Sequence, residues 1–479
     1  MDNLRKKVLK ALGWAVGAKF GGQIISWVIT IVVIRMLTPE DYGLMAIATI
    51  FISLLSLMSE LGLGAAIVQH KSLNDSLLKS IFGFVIVTNV ILFFTLYYSS
   101  SAIAYFFEDD RLSLIIEVLA FRFLIMAFEV VPLSLLERKL DFKGLSIVEL
   151  LSVLGGAFVT LFLAYSDYGV WALVWGHLAS ALFKTVGMVV ISPQYFMPSF
   201  KFKGIFNSIK FGGMITIDRI VWFIYTQADI VIIGKVLSKD LLGYYSVAVH
   251  LASLPMQKTQ GILHQIAFPA YSQIQNNLDD VSYYLKKTVR IISIFSFPIF
   301  WGMSSVADPL VSLVLGDKWE PVGLYLQLLC LIMPLQMMGS AFTPVLQGIG
   351  KPEVGVINLL YALVIMPTAF IIGVQWGVLG VVVSWLVAYP IVFSIYTVRS
   401  LSHISLPVRE YLNEVKKPLL ASIAMYVAVM LTQHLSDYYQ VITIVNFIAS
   451  IAIGGVIYIG VIWVAHRDAA LELVGLLRK

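Results

Sequence analysis

Residues 19–43 read KFGGQIISWVITIVVIRMLTPEDYG, and residues 210–243 read KFGGMITIDRIVWFIYTQADIVIIGKVLSKDLLG. Each stretch opens on Lys-Phe-Gly-Gly, from Lys19 and from Lys210, and continues as an apolar run. Each leaves by a similar exit: Arg35-Met36-Leu37-Thr38 with Gly43 beyond, and Lys235-Val236-Leu237-Ser238 with Gly243 beyond. A third pair follows later, Tyr168-Gly169-Val170 and Trp376-Gly377-Val378, each leading into an apolar segment. Three matches in the same order read as an internal repeat.

Around these stretches the chain is apolar almost throughout. Hydrophobic residues make up 59% and charged residues 13% of the 479 residues, against about 25% charged in soluble domains. The mean hydropathy of +0.89 leaves too little polar surface to coat a soluble globule. Fourteen apolar stretches approach the ~20 residues that cross a bilayer as helix. They run approximately 11–34, 43–66, 79–103, 112–135, 145–165, 169–192, 207–234, 241–270, 288–311, 323–347, 354–374, 377–399, 417–434 and 440–464. The longest connections, near 193–206, 271–287 and 400–416, are too short for a separate soluble domain. The expected fold is all-α, polytopic and transmembrane, with the first segment a permanent helix rather than a cleaved signal.

Basic residues set the orientation, since cytoplasmic loops carry an excess of Lys and Arg. With the N-terminus inside, the cytoplasmic segments hold 22 of the 33 Lys and Arg and the outer loops hold five: Arg35, Arg111, Lys235, Lys239 and Lys318. Both termini are therefore expected in the cytoplasm. Six helices separate the repeat copies, so the halves share one topology. The expected organisation is a six-helix lobe over 1–192, a cytoplasmic linker over 193–206, a second lobe over 207–399, and two added helices with a tail over 400–479. Transporters of this design hold substrate between their halves and open them alternately.

Charged residues inside spans cost at least about 2.5–3.5 kcal/mol each, so they mark candidate sites. Lys19, Gln23, Ser26 and Thr30 share one face of the first helix, and Thr49, Ser53, Ser56 and Glu60 one face of the second. Helix 7 carries Asp218, Tyr225 and Asp229 in a stripe, with Arg219 beside it and Lys210 at its entrance. Helix 8 carries His250, Gln257, Gly261 and His264, flanked by Lys258. These first pairs of the two halves would line a cleft between them. The competing reading of Ser, Thr and Gly stripes is a helix-packing seam. Asp229 and Lys210 lie near helix ends, where snorkelling to water competes with a site role. Arg122 and Glu129 share a face of helix 4, where an ion pair and a substrate role both fit. His177, Ser180 and Lys184 on helix 6 read as structural.

Seven prolines, Pro255, Pro269, Pro298, Pro334, Pro344, Pro367 and Pro390, fall in or near spans and allow kinks. No nucleotide-binding P-loop, zinc-protease motif or nucleic-acid-binding pattern is present, and no cofactor is expected. The one cysteine, Cys330, reads as a small buried hydrophobe. A membrane glycosyltransferase or polymerase would need a large acidic outer loop, which the chain lacks.

Several motifs, taken in order, resemble the polysaccharide transporter branch of the multidrug/oligosaccharidyl-lipid/polysaccharide exporter superfamily, near the colanic acid exporters. They are Arg35 to Gly43 (RMLTPEDYG), Ser59 to Gly64 (SELGLG) leading to Ile67-Val68-Gln69, and Leu136 to Phe142 (LERKLDF). The second half adds Asp229 to Gly234 (DIVIIG), Phe268 to Ser272 (FPAYS), and Leu315 to Trp319 (LGDKW) with Leu326 to Cys330 (LQLLC). The resemblance implies a bacterial inner-membrane flippase that moves undecaprenyl-diphosphate-linked oligosaccharide outward, beside polysaccharide polymerase machinery and among membrane lipids. A cation-coupled, drug-type antiporter on the same fold is the alternative. The related lipid II flippases use cavity arginines; here Lys19 and Lys210 stand at the corresponding early helices. On the flippase reading Lys19, Arg219 and Lys258 would meet phosphate, Gln23, Gln257 and Tyr225 would meet sugars, and His264 would line the same cavity. Glu60, Asp218 and Glu129 are the candidate coupling acids, with Arg122, Lys210 and Asp229 as secondary candidates. No metal site is expected.

Overall fold

The computed structural model describes residues 22–59, 63, 64, 67, 75–139, 141–192, 197–202 and 206–465, with backbone alone at 142, 206–215, 217, 218, 258–266, 437 and 465. Among the described residues each of the fourteen expected spans overlaps helix, and no strand occurs. In chain order the helices are α1 (Gly22–Met36), α2 (Pro39–Ser59), α3 (Asp75–Phe107), α4 (Arg111–Met126), α5 (Val130–Arg138), α6 (Phe142–Tyr165), α7 (Val170–Ile191) and α8 (Phe206–Val236). They continue as α9 (Lys239–Ile274), α10 (Leu278–Ser305), α11 (Ala307–Val314), α12 (Pro321–Gly339), α13 (Phe342–Gly348), α14 (Pro352–Gly373), α15 (Gly377–Ser402), α16 (Val408–Tyr438) and α17 (Thr443–Ala465). Among the described residues eight segments are long and apolar enough to cross a membrane, and a ninth joins them if the bent pair α10–α11 is one span.

Three expected single helices are broken. The span at 112–135 splits into α4 and α5 at 127–129, and that at 323–347 into α12 and α13. The span at 288–311 bends by 67° between α10 and α11. The connection expected over 271–287 shrinks to a three-residue turn, because α9 runs to Ile274 and α10 starts at Leu278. Asn277 causes that early start. Its side chain accepts from the Asp279 N–H, and Asp279 and Asp280 place negative charge in the first turn of α10. Pro255, Pro269, Pro298, Pro334, Pro367 and Pro390 all sit inside continuous helices. Cys330 is buried and free.

The chain forms two compact units, Met1–Gly243 and Tyr244–Lys479. In the first, α6 and α7 form a hairpin whose seam is built from glycine. A Cβ on Gly156 would strike Ser180, and one on Gly176 would strike Thr160. In lipid, where apolar burial gives no drive between helices, such close approach supplies the association. The hairpin turns at Gly169, whose φ of 54° is open to glycine at little cost. In the second unit α14 and α15 pack in the same manner. Gly373 and Gly380 meet each other's backbone, and the turn passes through Gly377 at φ 71°. The repeat match Tyr168-Gly169-Val170 with Trp376-Gly377-Val378 thus marks two equivalent turns.

The second unit also holds α16 and α17, which pack on each other and on α10. Lys286 and Arg290, one turn apart on α10, pair with Glu410 and Glu414 on α16 at 2.8 and 2.6 Å. Further along, the Tyr458 hydroxyl of α17 donates to the Ile294 carbonyl at 2.6 Å.

A second repeat motif is explained by packing within the first unit. A Cβ on Gly43 of α2 would strike the Lys239 carbonyl, and a Cβ on Gly243 would strike the Pro39 carbonyl. The contact is reciprocal, each glycine facing the backbone at the start of the other's helix. Only glycine allows it. Gly43→Ala or Gly243→Ala must push two helix starts apart and should destabilise the protein by about 1–3 kcal/mol. Thermal unfolding in detergent checks this, and wild-type melting temperatures in both variants would refute it.

Candidate functional site

The described part of the first unit brings several ionisable groups to bilayer depth on α4, the α4–α5 break and α7. At residues 127–129 the backbone tightens: Phe128 and Glu129 donate to carbonyls three residues back, those of Ile125 and Met126, at 3.3 and 2.9 Å. Such a turn rotates the following side chain away from the register a regular helix would give it. Glu129, buried at 5% exposure, lies against α7. There its carboxylate takes the Lys184 ammonium at 2.5 Å, and the Thr185 hydroxyl stands 3.5 Å away. The same hydroxyl reaches towards the Ile125 carbonyl at 3.4 Å.

The pairing differs from the one that spacing suggests. Arg122 and Glu129 share a helix face in sequence, yet the ion pair joins Glu129 to Lys184 because the break turns Glu129 towards α7. The sequence signal was available: Arg122 to Glu129 and His177 to Lys184 are both seven residues apart, so two parallel helices could present them as successive rungs. A further in-span acid escaped notice. Glu117 on α4 accepts from the Ser100 and Ser113 hydroxyls, each at 3.1 Å.

Arg122 is left over. Its Nε is buried without a hydrogen-bond partner, although Glu129 is near enough to attract it electrostatically. His177 on α7 lies within electrostatic reach of Arg122.

The stripe residues are distributed less compactly. Tyr225 and Asp229 of α8 are both buried, so Asp229 does not snorkel to water. The buried setting follows from its place seven residues inside the end of α8, where α8 packs on α2. Gln23 is half-buried. Arg219 and Gln257 are exposed, and Gln257 donates to Ser253 at 2.8 Å. Lys19 and Glu60 lie outside the described residues, as do the side chains of Lys210, Asp218, Lys258 and His264. Among the described residues no group of His, Cys, Asp and Glu is arranged to hold a metal ion.

A second charged group lies where α2, α4 and α9 begin and α3 and α8 end. Arg111 pairs with Glu40 and Asp109 at 2.5 and 2.7 Å, and Lys235 with Glu108 at 2.6 Å. Lys239 donates to the carbonyls of Phe107 and Gly234 at 2.7 and 3.0 Å, closing the ends of α3 and α8. The Lys235 hydrogen bond holds the Glu108 carboxyl below the usual carboxylate range, and Arg111 does the same for Asp109.

Breaks inside spans, a buried ion pair at bilayer depth and a duplicated helical plan together define a multi-pass membrane protein with a transporter fold. The likeness to solved structures agrees. The chain matches the lipid II flippase MurJ in an inward closed conformation with a TM-score of 0.74, at 16% identity, over 95% of this chain and 99% of that one. An inward-facing multidrug resistance MATE family transporter of the MOP superfamily matches at 0.63 and 15% identity, over 79% of this chain and 95% of the other. The chain belongs to the polysaccharide biosynthesis protein family, whose model matches residues 32–323. An uncharacterized membrane protein in the cps region of Klebsiella pneumoniae is 25% identical over 100% of this chain and 99% of its own. The succinoglycan biosynthesis transport protein ExoT of Rhizobium meliloti is 24% identical over 99% and 96%. The lipopolysaccharide biosynthesis protein WzxC of Escherichia coli is 22% identical over 80% and 79%.

Two outcomes follow from the geometry. Removing one partner of the buried pair, by Glu129→Gln or Lys184→Met, strands the other charge and should cost about 3–5 kcal/mol. The double variant should cost clearly less than the sum, and additive losses in a double-mutant thermal cycle would show that the pair carries no coupling. At the helix-end cluster, depressed carboxyls contribute stability that is complete above their ordinary titration range and lost as pH falls through their lowered values. The melting temperature should therefore hold from pH 7 to 5 and fall below about pH 4. The fall should be smaller in Lys235→Met, and an equal fall in that variant would contradict this account.

Proposed function

We propose that the protein is a flippase that carries undecaprenyl-diphosphate-linked oligosaccharide across the bacterial inner membrane by alternating access, for exopolysaccharide, capsule or O-antigen synthesis. The observation that carries the reading is the family match over residues 32–323, joined to end-to-end alignment with a succinoglycan transport protein. The chemistry agrees. A lipid diphosphate is anionic and needs cationic partners, while its sugars need hydroxyl and amide groups.

On this reading both termini are cytoplasmic, and the Arg111–Glu40 and Lys235–Glu108 cluster lies at the outer face. The two six-helix lobes span 1–192 and 207–399, and the two added helices follow. The chain transports rather than catalyses. Lys19, Arg219 and Lys258, with Gln23, Gln257, Tyr225 and His264, face the substrate, and Glu60, Asp218 and Glu129 couple transport to a cation. A polysaccharide polymerase receives the flipped oligosaccharide.

The test is a deletion strain. Loss of the gene should trap lipid-linked oligosaccharide in the inner leaflet and abolish polymer, and the wild-type gene should restore export. A Glu60→Gln, Asp218→Asn, Glu129→Gln triple variant should fail to restore it. Unchanged polymer output in the deletion strain sinks the flippase reading, and full rescue by the triple variant sinks the coupling assignment.

A further inference from the structure

The charges on α4 and α7 do not balance. One carboxylate, Glu129, serves two cations, Arg122 and Lys184. Its Oε1 meets the ammonium and its Oε2 faces the Thr185 hydroxyl, so neither oxygen hydrogen-bonds the guanidinium. The neighbouring acid, Glu117, is occupied by Ser100 and Ser113. Arg122 keeps a buried Nε without a partner, and the His177 imidazole on α7 lies within its electrostatic reach. A guanidinium left unneutralised at bilayer depth is strongly disfavoured unless an anion comes to it.

The position is also reachable. His177 is exposed, and Lys184 and Arg122 are half-buried, so the cluster reaches the surface of the unit. A planar fork of donors with a second ring donor beside it matches a tetrahedral oxyanion. It stands on α4 and α7, both of which pack on α2.

We propose that Arg122, with His177 as its second donor, seats a phosphate group carried by a lipid. The seat deepens the flippase reading and rests on it for the identity of that lipid, since the carrier diphosphate and a phospholipid headgroup share the chemistry. The Glu129 carboxylate is engaged by Lys184 and Thr185, and the Arg122 Nε makes no hydrogen bond to it.

The experiment uses the full chain purified in detergent, with farnesyl diphosphate and dioctanoyl phosphatidate as separate probes. Thermal shift and direct binding are both read. Each effective probe should raise the melting temperature of the wild type. Arg122→Gln should weaken binding at least tenfold, and Arg122→Lys should recover part of it. Without probe, Arg122→Gln should melt at or above the wild-type temperature, because it removes an uncompensated charge. A purely structural arginine would give the opposite sign. A response to farnesyl diphosphate alone assigns the seat to the carrier lipid, and an equal response to phosphatidate assigns it to lipid phosphate in general. Binding by Arg122→Gln within twofold of wild type for both probes overturns the seat. Export measured separately in the deletion strain keeps that failure distinct from failure of the flippase reading.

Discussion

A carboxylate carried into the hydrocarbon layer has to be met by a cation, and the meeting of Glu129 with Lys184 constrains much of the first unit. The pair depends on the break at 127–129, where Pro132 interrupts the helix, since a regular helix would leave Glu129 on the Arg122 face. It also fixes the register of α7, because Lys184 and Thr185 must arrive opposite the break. Once that register is set, Gly176 and Ser180 fall opposite Thr160 and Gly156 of α6, and the hairpin closes through small residues. The charge that remains, on Arg122, follows from the same geometry.

Close backbone approach is the second organising theme. Apolar side chains gain little from leaving lipid for one another, so contacts depend on shape and on polar links. Glycine supplies the shape at Gly43 with Gly243, at Gly156 with Gly176, and at Gly373 with Gly380. Polar links finish the second unit, where the Lys286–Glu410 and Arg290–Glu414 rungs attach α16 to α10. These two helices lie beyond the repeat, and the charge ladder is what the sequence offers to dock them.

The helical plan was legible because bilayer thickness imposes a length on every apolar run, and because the repeat motifs sit where the backbone admits only glycine. Gly43, Gly243, Gly169 and Gly377 each mark a close approach or a positive φ, so the pattern carries structural information that composition alone lacks. The breaks were legible in part, since a proline stands third in each helix that follows one: Pro132 in α5, Pro309 in α11 and Pro344 in α13. Pro132 has no N–H to give the Phe128 carbonyl and crowds it, which interrupts the helix at Ala127-Phe128-Glu129. The site was legible only in its residue types. Spacing placed Arg122 with Glu129 on one face, whereas the partner, Lys184, came from another helix. Pairing across helices depends on relative rotation, and one sequence does not encode that in its local periodicity.

Family membership, end-to-end similarity to a polysaccharide transport protein and an unneutralised guanidinium at bilayer depth converge on handling of a lipid-borne phosphate. The most direct measurement reconstitutes the purified chain in liposomes carrying a fluorescent polyprenyl-diphosphate sugar and follows its exposure to a membrane-impermeant phosphatase. The account predicts that the protected inner-leaflet fraction becomes accessible in protein-bearing vesicles and stays protected in protein-free ones. An equally protected fraction in both, with the protein shown to be folded, would contradict it.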